Sequence, residues 1–475
     1  MNRKKTLFLL ALMQAGFAMA GDLLTNTNQS AHFLRNPARD ASTEIDAVYT
    51  NPAGLVKLGE GFHFSFNNQS AFQTRTITST APVFYYNGGN ATREFKGTAS
   101  APIIPSIQAA YKKGKWVLSG TIAVVGGGGK AAFDKGLPSF ESLIGNTTAI
   151  LTNNTGYMAY TDDQYMKGAN FIFGGQLGGT YQINKNFSAY AGFRLNVVHN
   201  KYEGYLRNYQ VTALGNATNA TYTGVYNALT AKLASGASLT AAEQVALVGS
   251  RFAAKASSSA GIQLESTQSG WGVAPIIGFN YNWDDKLNIG AKYEFRTALN
   301  VENDTKIDDT GLFADGVNTA YDIPAMLSIG ASYKVLPKLT ASVGYHHFFD
   351  SEAKMENDKQ KNAGNTNEYL AGLEYRIDKM FLVSAGGQIT NYGVNDAYQR
   401  DLSFACSSYS VGLGGAVNIS PKVRINVGYF WTTYSDYTKQ PGGGIKMNGA
   451  EFAATSKDVF ARTNKVFGAG VDFSF

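Results

Sequence analysis

Six times along this chain, a run of alternating apolar and polar residues ends near an aromatic or branched side chain. It turns tightly through polar residues and then starts again. The six junctions read AAYKKGKW, GTYQINKNF, FNYNWDDKL, ASYKVLPKL, LEYRIDKMF and GAVNISPKV. Gly, Pro, Asn and Asp in such turns are hairpin residues, because they accept the backbone angles a tight reversal requires. Between the junctions the connections are longer, more variable and rich in Asn, Thr, Gly and Asp. Six short turns and seven long loops make thirteen connections, hence fourteen strands. An even count returns both termini to the same side.

The alternation keeps period two for ten or more residues. Tyr321, Ile323, Ala325, Leu327, Ile329, Ala331 and Tyr333 share one expected face. Leu287, Ile289, Ala291, Tyr293 and Phe295 share another, and Val423, Ile425, Val427, Tyr429 and Trp431 a third. Strands of soluble sandwiches average about five or six residues. Longer runs, with short turns at one end and long loops at the other, predict an all-β, transmembrane antiparallel barrel of about 14 strands. Tyr111, Tyr181, Tyr281, Tyr333 and Tyr375 precede turns, while Trp116, Phe187 and Phe381 follow them. These are the positions of an interfacial aromatic girdle. The last strand alternates Phe467, Ala469, Val471, Phe473 and Phe475 with small or polar residues. An open edge is not tolerated in lipid, so this strand is expected to pair with the first, near Gly61 to Ser79.

Composition removes other classes. Charged residues are 16% of the chain, below a globular norm of roughly 25%. Aromatics at 13% exclude a disordered chain, and the single cysteine, Cys406, excludes a disulfide scaffold or thiolate metal centre. Arg3, Lys4 and Lys5 supply half of the +6 net charge, which leaves no nucleic-acid footprint. Residues 1–20 combine this basic start with the apolar run TLFLLALM and Ala18-Met19-Ala20, the pattern of a secretory signal peptide. The five histidines, His32, His63, His199, His346 and His347, form no metal-ligand spacing. No nucleophile elbow or phosphate loop appears, so neither an enzyme nor a cofactor is indicated.

A fourteen-stranded barrel is too wide to be filled by its own side chains. Residues 21–60 precede the first strand, lack long alternation and contain Asn36-Pro37-Ala38 and the run DAVYTNPAGL. This compact, turn-rich segment is expected to be an N-terminal hatch inside a barrel of residues 61–475. That run, the leader before it, fourteen strands after it and a terminal Phe resemble the FadL/TodX family of outer-membrane transporters for fatty acids and other hydrophobic compounds. The resemblance covers nearly the whole mature chain. It places Asn51, Pro52 and Ala53 as the hatch motif. It implies a passive transporter in the outer membrane of a Gram-negative bacterium. Its partners would be a hydrophobic small-molecule ligand, outer-membrane lipid and the assembly machinery, and it would act as a monomer.

Two further features bear on that implication. The third strand meets Gly126, Gly127, Gly128 and Gly129, four residues that weaken pairing and permit a bulge. The resemblance makes them a lateral gate toward lipid; a strand ending in a glycine-rich loop is the other reading. The longest loop, 208–259, carries a capping-box pattern at Thr240 and Glu243, then Val245, Leu247, Val248 and Phe252 on one helical stripe. That stripe is either a capture surface or the inner face of a small structural helix. A carboxylate ligand would want an Arg or Lys near the pocket, and Arg194, Lys292 and Arg296 are inward candidates among which the sequence does not choose. A general porin for polar solutes and a structural or adhesive surface barrel are the alternatives, which a hatch and the low charge disfavour.

Overall fold

The computed structural model describes residues 23, 25–142, 158–213, 219–441, 446–447, 450–451 and 456–475. The expected signal peptide lies outside them. Fourteen antiparallel strands run in chain order: β1 Gly61–Thr80, β2 Thr92–Lys113, β3 Trp116–Phe133, β4 Met158–Gln182, β5 Phe187–Ala213 and β6 Ile262–Trp283. β7 comes in two pieces, Leu287–Glu294 and Asn300–Asp308, as does β8, Asn318–Ala320 and Met326–Leu336. Then follow β9 Leu339–Phe348, β10 Thr366–Arg376, β11 Phe381–Asn391, β12 Ser408–Ser420, β13 Val423–Tyr434 and β14 Lys457–Ser474.

The sheet closes on itself. β1 pairs with β14 from His63 opposite Ser474 to Thr80 opposite Lys457. The Phe475 amide completes the seam by donating to the Phe62 carbonyl at 2.8 Å. Gly61 is required beside it, because its φ is +105° and a Cβ would stand 2.2 Å from the Phe475 carbonyl oxygen. Closure leaves the sheet without a free edge strand, the condition for crossing a bilayer without helices. The outward rows expose Phe66, Ile122, Leu177, Phe193, Phe279 and Phe467, while Asn67, Gln108, Gln176, Asn196 and Asn280 are buried inside. At the short-turn end Phe62 packs on Tyr111, Trp116 on Tyr181 and Phe187 on Tyr281, with ring centroids 4.5, 4.5 and 4.9 Å apart.

The alternating row ending at Tyr333 breaks between its two β8 pieces. Tyr321 and Ile323 are buried in an interior cluster rather than facing lipid. Pro324 has no amide to give the ladder. The Asp322 carboxylate draws in the Leu299 and Lys354 amides and the Arg296 guanidinium, which bends the chain. Cys406 is not a strand residue; it is buried in the connection from β11 to β12.

The wall is uneven in height. β4 and β5 run 25 and 27 residues, whereas β9, β10 and β11 run 10 or 11. At the long-loop end Ile77, Phe95, Phe133, Met166, Tyr202, Leu264 and Phe460 from the strands meet Phe84, Leu137, Phe313 and Phe404 from the loops in one apolar core. No helix among the described residues is long and apolar enough to cross a membrane.

Candidate functional site

Inside the barrel lie two short helices, α1 Ala31–Arg35 and α2 Ala47–Thr50, and a 3-10 turn, Pro52–Lys57. Ser30 caps α1 by accepting from the Phe33 amide at 3.3 Å. α1 then lies so close to β12 and β13 that Cβ atoms at Gly412 and Gly428 would strike Leu34. Two different chemistries fix this hatch to opposite walls.

One side is ionic. Arg35 reaches Glu374 at 2.5 Å and Ser384 at 2.9 Å. Arg39 grips Asp46 with two bonds of 2.7 and 2.8 Å, and also Glu44 at 2.8 Å. Arg424 of β13 meets Glu44 at 2.5 Å, and His32 Nε2 sits 3.1 Å from Asp472 of β14. Burial works to raise the Glu44 pKa, but Arg424, Arg39, His32 and Arg35 hold it well below the carboxylate range. His32, Glu44 and Asp46 bring donor atoms within 4.8 Å of one another, as metal ligands would. Both carboxylates are, however, already engaged by guanidinium groups, so the cluster is an ion-pair network.

On the other side, where the predicted hatch motif lies, most ties are hydrogen bonds between uncharged groups. Asn51 Nδ2 donates to the Ser42 carbonyl at 2.9 Å and to Asn280 Oδ1 of β6 at 2.8 Å. The Pro52 carbonyl accepts from Thr180 of β4 at 2.8 Å, and the Ala53 carbonyl from Ser188 of β5 at 2.6 Å. Three consecutive residues therefore tie to three strands. Tyr49, one turn earlier, lies between two cations. Lys292 Nζ is 4.4 Å from its ring centroid and donates to its carbonyl at 2.8 Å; the Arg194 guanidinium stands 4.7 Å from the ring. Arg194 also binds Glu294 and Gln176, at 2.6 and 2.7 Å. Arg296 sits apart, exposed and paired with Asp322. Two of the three expected head-group cations are thus held by the hatch and the wall.

The glycine run lies where the ladder between β2 and β3 is interrupted. β2 and β3 pair from Lys113–Trp116 up to Ile107–Ile122, and again from Ala99–Ala131; the intervening residues have no partner across this seam. β3 continues through the gap as a bulge on β4, with register shifts around Gly126 and positive φ at Gly127 and Gly129. On the β2 side stand Pro102 and Pro105, neither able to donate a backbone bond. Those prolines were a signal the sequence reading passed over. Residues 25–29 cover the gap from inside. Thr25 bridges Gly126, and the Asn26 amide donates to the Val125 carbonyl at 2.8 Å. Gln29 donates to the Val124 carbonyl at 3.3 Å, and Ser106 of β2 donates to the Gln29 carbonyl at 2.6 Å. Behind this cover Tyr49, Ala123, Val125, Ile172, Val198, Leu299, Val301, Tyr321 and Ile323 form an apolar cluster. The Tyr49 hydroxyl links cluster and cover through the Asn26 carbonyl at 3.2 Å. Arg75 reaches from β1 to the Gly128 carbonyl at 3.5 Å.

The loop stripe is elsewhere. Two helices, α3 Asn219–Ala234 and α4 Ala241–Ala256, fold over the outer ends of β5 and β6, and the capping box at Thr240 and Glu243 forms. Phe252 packs toward Leu206, Tyr209, Tyr222 and Ile262, and Leu247 is half-buried. The side chains of Val245 and Val248 lie outside the described residues, as do residues 214–218 of the loop.

No family model and no curated protein matches this sequence. Solved structures match its shape. A FadL homologue of Pseudomonas aeruginosa aligns over 97% of this chain and 100% of its own, with a TM-score of 0.62 at 12% identity. The toluene transporters TodX of Pseudomonas putida and TbuX of Ralstonia pickettii each align over 97% of this chain and 99% of their own, at 13% identity, with TM-scores of 0.54 and 0.50. The chain has the fold of these FadL- and TodX-type barrels over nearly its full length, with little sequence in common.

Proposed function

We propose that this chain is an outer-membrane channel through which hydrophobic small molecules, long-chain fatty acids or aromatic hydrocarbons, enter by diffusion and leave sideways into lipid. The unpaired seam between β2 and β3, backed by an apolar cluster, is the observation that carries this reading. A hydrophobic solute gains by leaving water for apolar contacts. An exit through the wall delivers it to the bilayer without a return to water. Residues 25–29 then act as the movable cover, Gly126 to Gly129 as the flexible side of the window, and Asn51, Pro52 and Ala53 as the fixed base of the hatch. The channel works as a monomer without a cofactor and is inserted by the outer-membrane assembly machinery. A general porin is disfavoured because the hatch and the outer apolar core both stand across the lumen.

The decisive variant is Gly128→Val. A Cβ there meets only the end of the flexible Arg75 side chain, so the barrel is expected to tolerate it while the window fills. Gly127 is unsuitable: its φ is +104° and a Cβ would lie 2.2 Å from the Asn170 carbonyl oxygen, so substitution would damage the wall itself. Cells carrying Gly128→Val are expected to take up oleate and toluene more slowly than wild type at equal amounts of folded barrel. Unchanged uptake would reject the lateral exit.

A further inference from the structure

All six short turns carry a lysine one or two residues before the next strand begins: Lys115, Lys185, Lys286, Lys338, Lys379 and Lys422. Each is exposed. The turns also keep an outward apolar residue two positions past Tyr181, Tyr281, Tyr333, Tyr375 and Val417. These are Ile183, Trp283, Val335, Ile377 and Ile419, all exposed. In the first turn Lys113 takes that place after Tyr111. One exposed aliphatic side chain asks for no partner. Five in register, continuing the lipid-facing rows past the aromatic girdle, place the turns in the head-group layer. The lysines then stand roughly 3–7 Å beyond the girdle, in the polar layer that holds the lipid phosphates.

The charge of this rim is one-sided. From Tyr111, Tyr181, Tyr281, Tyr333, Tyr375 and Val417 to the first residue of the following strand, the turns hold nine lysines and Arg376 against Asp284, Asp285 and Asp378. Lys57 and Glu60, just before β1, cancel. Even with the Phe475 carboxylate counted, six positive charges are in excess. Residues 21–475 carry only +3 in all, the +6 of the full chain less Arg3, Lys4 and Lys5, so the remainder of them is net negative. Just inside the rim, Arg35, Arg39 and Arg424 face Glu44, Asp46, Glu374 and Asp472, a network that removes at most one of the six. Lys57 pairs with Asp285, and Lys286 with Asp284. Among the described residues no carboxylate pairs with Lys113, Lys115, Lys185, Lys379 or Lys422.

We propose that this rim gathers net-anionic phospholipid, of the phosphatidylglycerol type, from the periplasmic leaflet around the barrel. Short turns of such barrels face the periplasm, so that leaflet is the one they meet. A lysine at this level keeps its methylene stem against apolar neighbours and its ammonium group among phosphates. Attraction to an anionic surface grows with each such cation. A zwitterionic head group brings its own amine and leaves the six charges unmatched, whereas an anionic one matches them. An acidic protein or the cell wall would meet the charge but would give no reason for the apolar row beside it. The lysines are spread over all six turns rather than clustered. The occupant is therefore a ring of separate lipids and not one tightly held molecule.

The test reconstitutes the full barrel in nanodiscs holding equal amounts of phosphatidylglycerol and phosphatidylethanolamine. The lipid that leaves with the barrel is then read by native mass spectrometry. Wild type is expected to retain about five-fold more phosphatidylglycerol than phosphatidylethanolamine, and to lose that preference as salt is raised. These two arms need no variant. Lys115→Gln/Lys185→Gln/Lys379→Gln/Lys422→Gln removes four cations that bond neither hatch nor wall, and is expected to bring the preference below about two-fold. The same four sites changed to arginine are expected to keep it. Equal retention of the two lipids by wild type, a preference indifferent to salt, or full preference in the folded glutamine variant would overturn the proposal. Capture of isolated cell-wall fragments without any lipid preference would assign the rim to the wall instead and reject it as well.

Discussion

Tyr49 concentrates the interior into a single side chain. Burial pushes its phenol up to about 12, so it remains a neutral donor to Asn26 at any physiological pH. Tyr49→Phe removes that hydrogen bond and the hydroxyl's interaction with Arg194, and is expected to cost about 1–2 kcal/mol. Hydrogen exchange at the Asn26 amide should accelerate while the barrel's melting is nearly unchanged. Tyr49→Ala also strips the ring from Arg194 and Lys292 and leaves a cavity, with an expected loss of about 3–5 kcal/mol in unfolding. A second residue links the loops to acidity. Asp350, buried where β9 leads into its loop, accepts from the Thr366 amide at 2.9 Å, and burial lifts its pKa to about 7. A carboxyl raised in the folded state stabilises most below its unfolded pKa, near 4, and that contribution is lost as pH rises through 7. Protection of the Thr366 amide is therefore expected to fall between pH 5 and 8 in wild type and to stay level in Asp350→Asn.

At the scale of elements, the seam between β2 and β3 is the part most open to manipulation. Replacing Pro102 and Pro105 by valine restores two backbone donors. The ladder is expected to lengthen across the gap, slowing exchange at residues 123–130 and reducing uptake of hydrophobic probes. Unchanged exchange there would mean that the prolines do not hold the seam open. Most strands were legible in the sequence because period-two alternation is imposed by lipid on one face and a polar lumen on the other. The junction turns gave the strand count for the same reason. Legibility failed where an interior network overrode the pattern. At Tyr321 and Ile323 the alternation persists in the letters, yet Asp322 and Pro324 turn the chain inward. The bulge was visible in four glycines, but the gap needs β2 as well, and its prolines carry meaning only once the partner strand is known. Asn51, Pro52 and Ala53 were singled out through the family resemblance, not through any local pattern. Their bonds to Thr180, Ser188 and Asn280 join residues more than a hundred positions apart, which no local pattern records.

For the whole molecule, two barriers stand in series: the hatch across the lumen and the apolar core across the mouth. Deleting residues 21–60 is expected to give a barrel with only small ion conductance in planar bilayers. Adding Phe84→Ser and Phe404→Ser, which wets the outer core, is expected to open it fully. A large steady current from the hatch deletion alone would show that the outer core is no barrier. The two-sided anchoring of the hatch also dictates an order of events. Its hatch-motif side needs only β4 to β7, whereas Arg35 finds Glu374 across 339 positions and His32 needs Asp472 on the final strand. During export the first residues to arrive must wait for the last. The ionic side of the hatch can form only once β13 and β14 are in place, so closure of the seam between β1 and β14 is the step at which both of its anchors become complete.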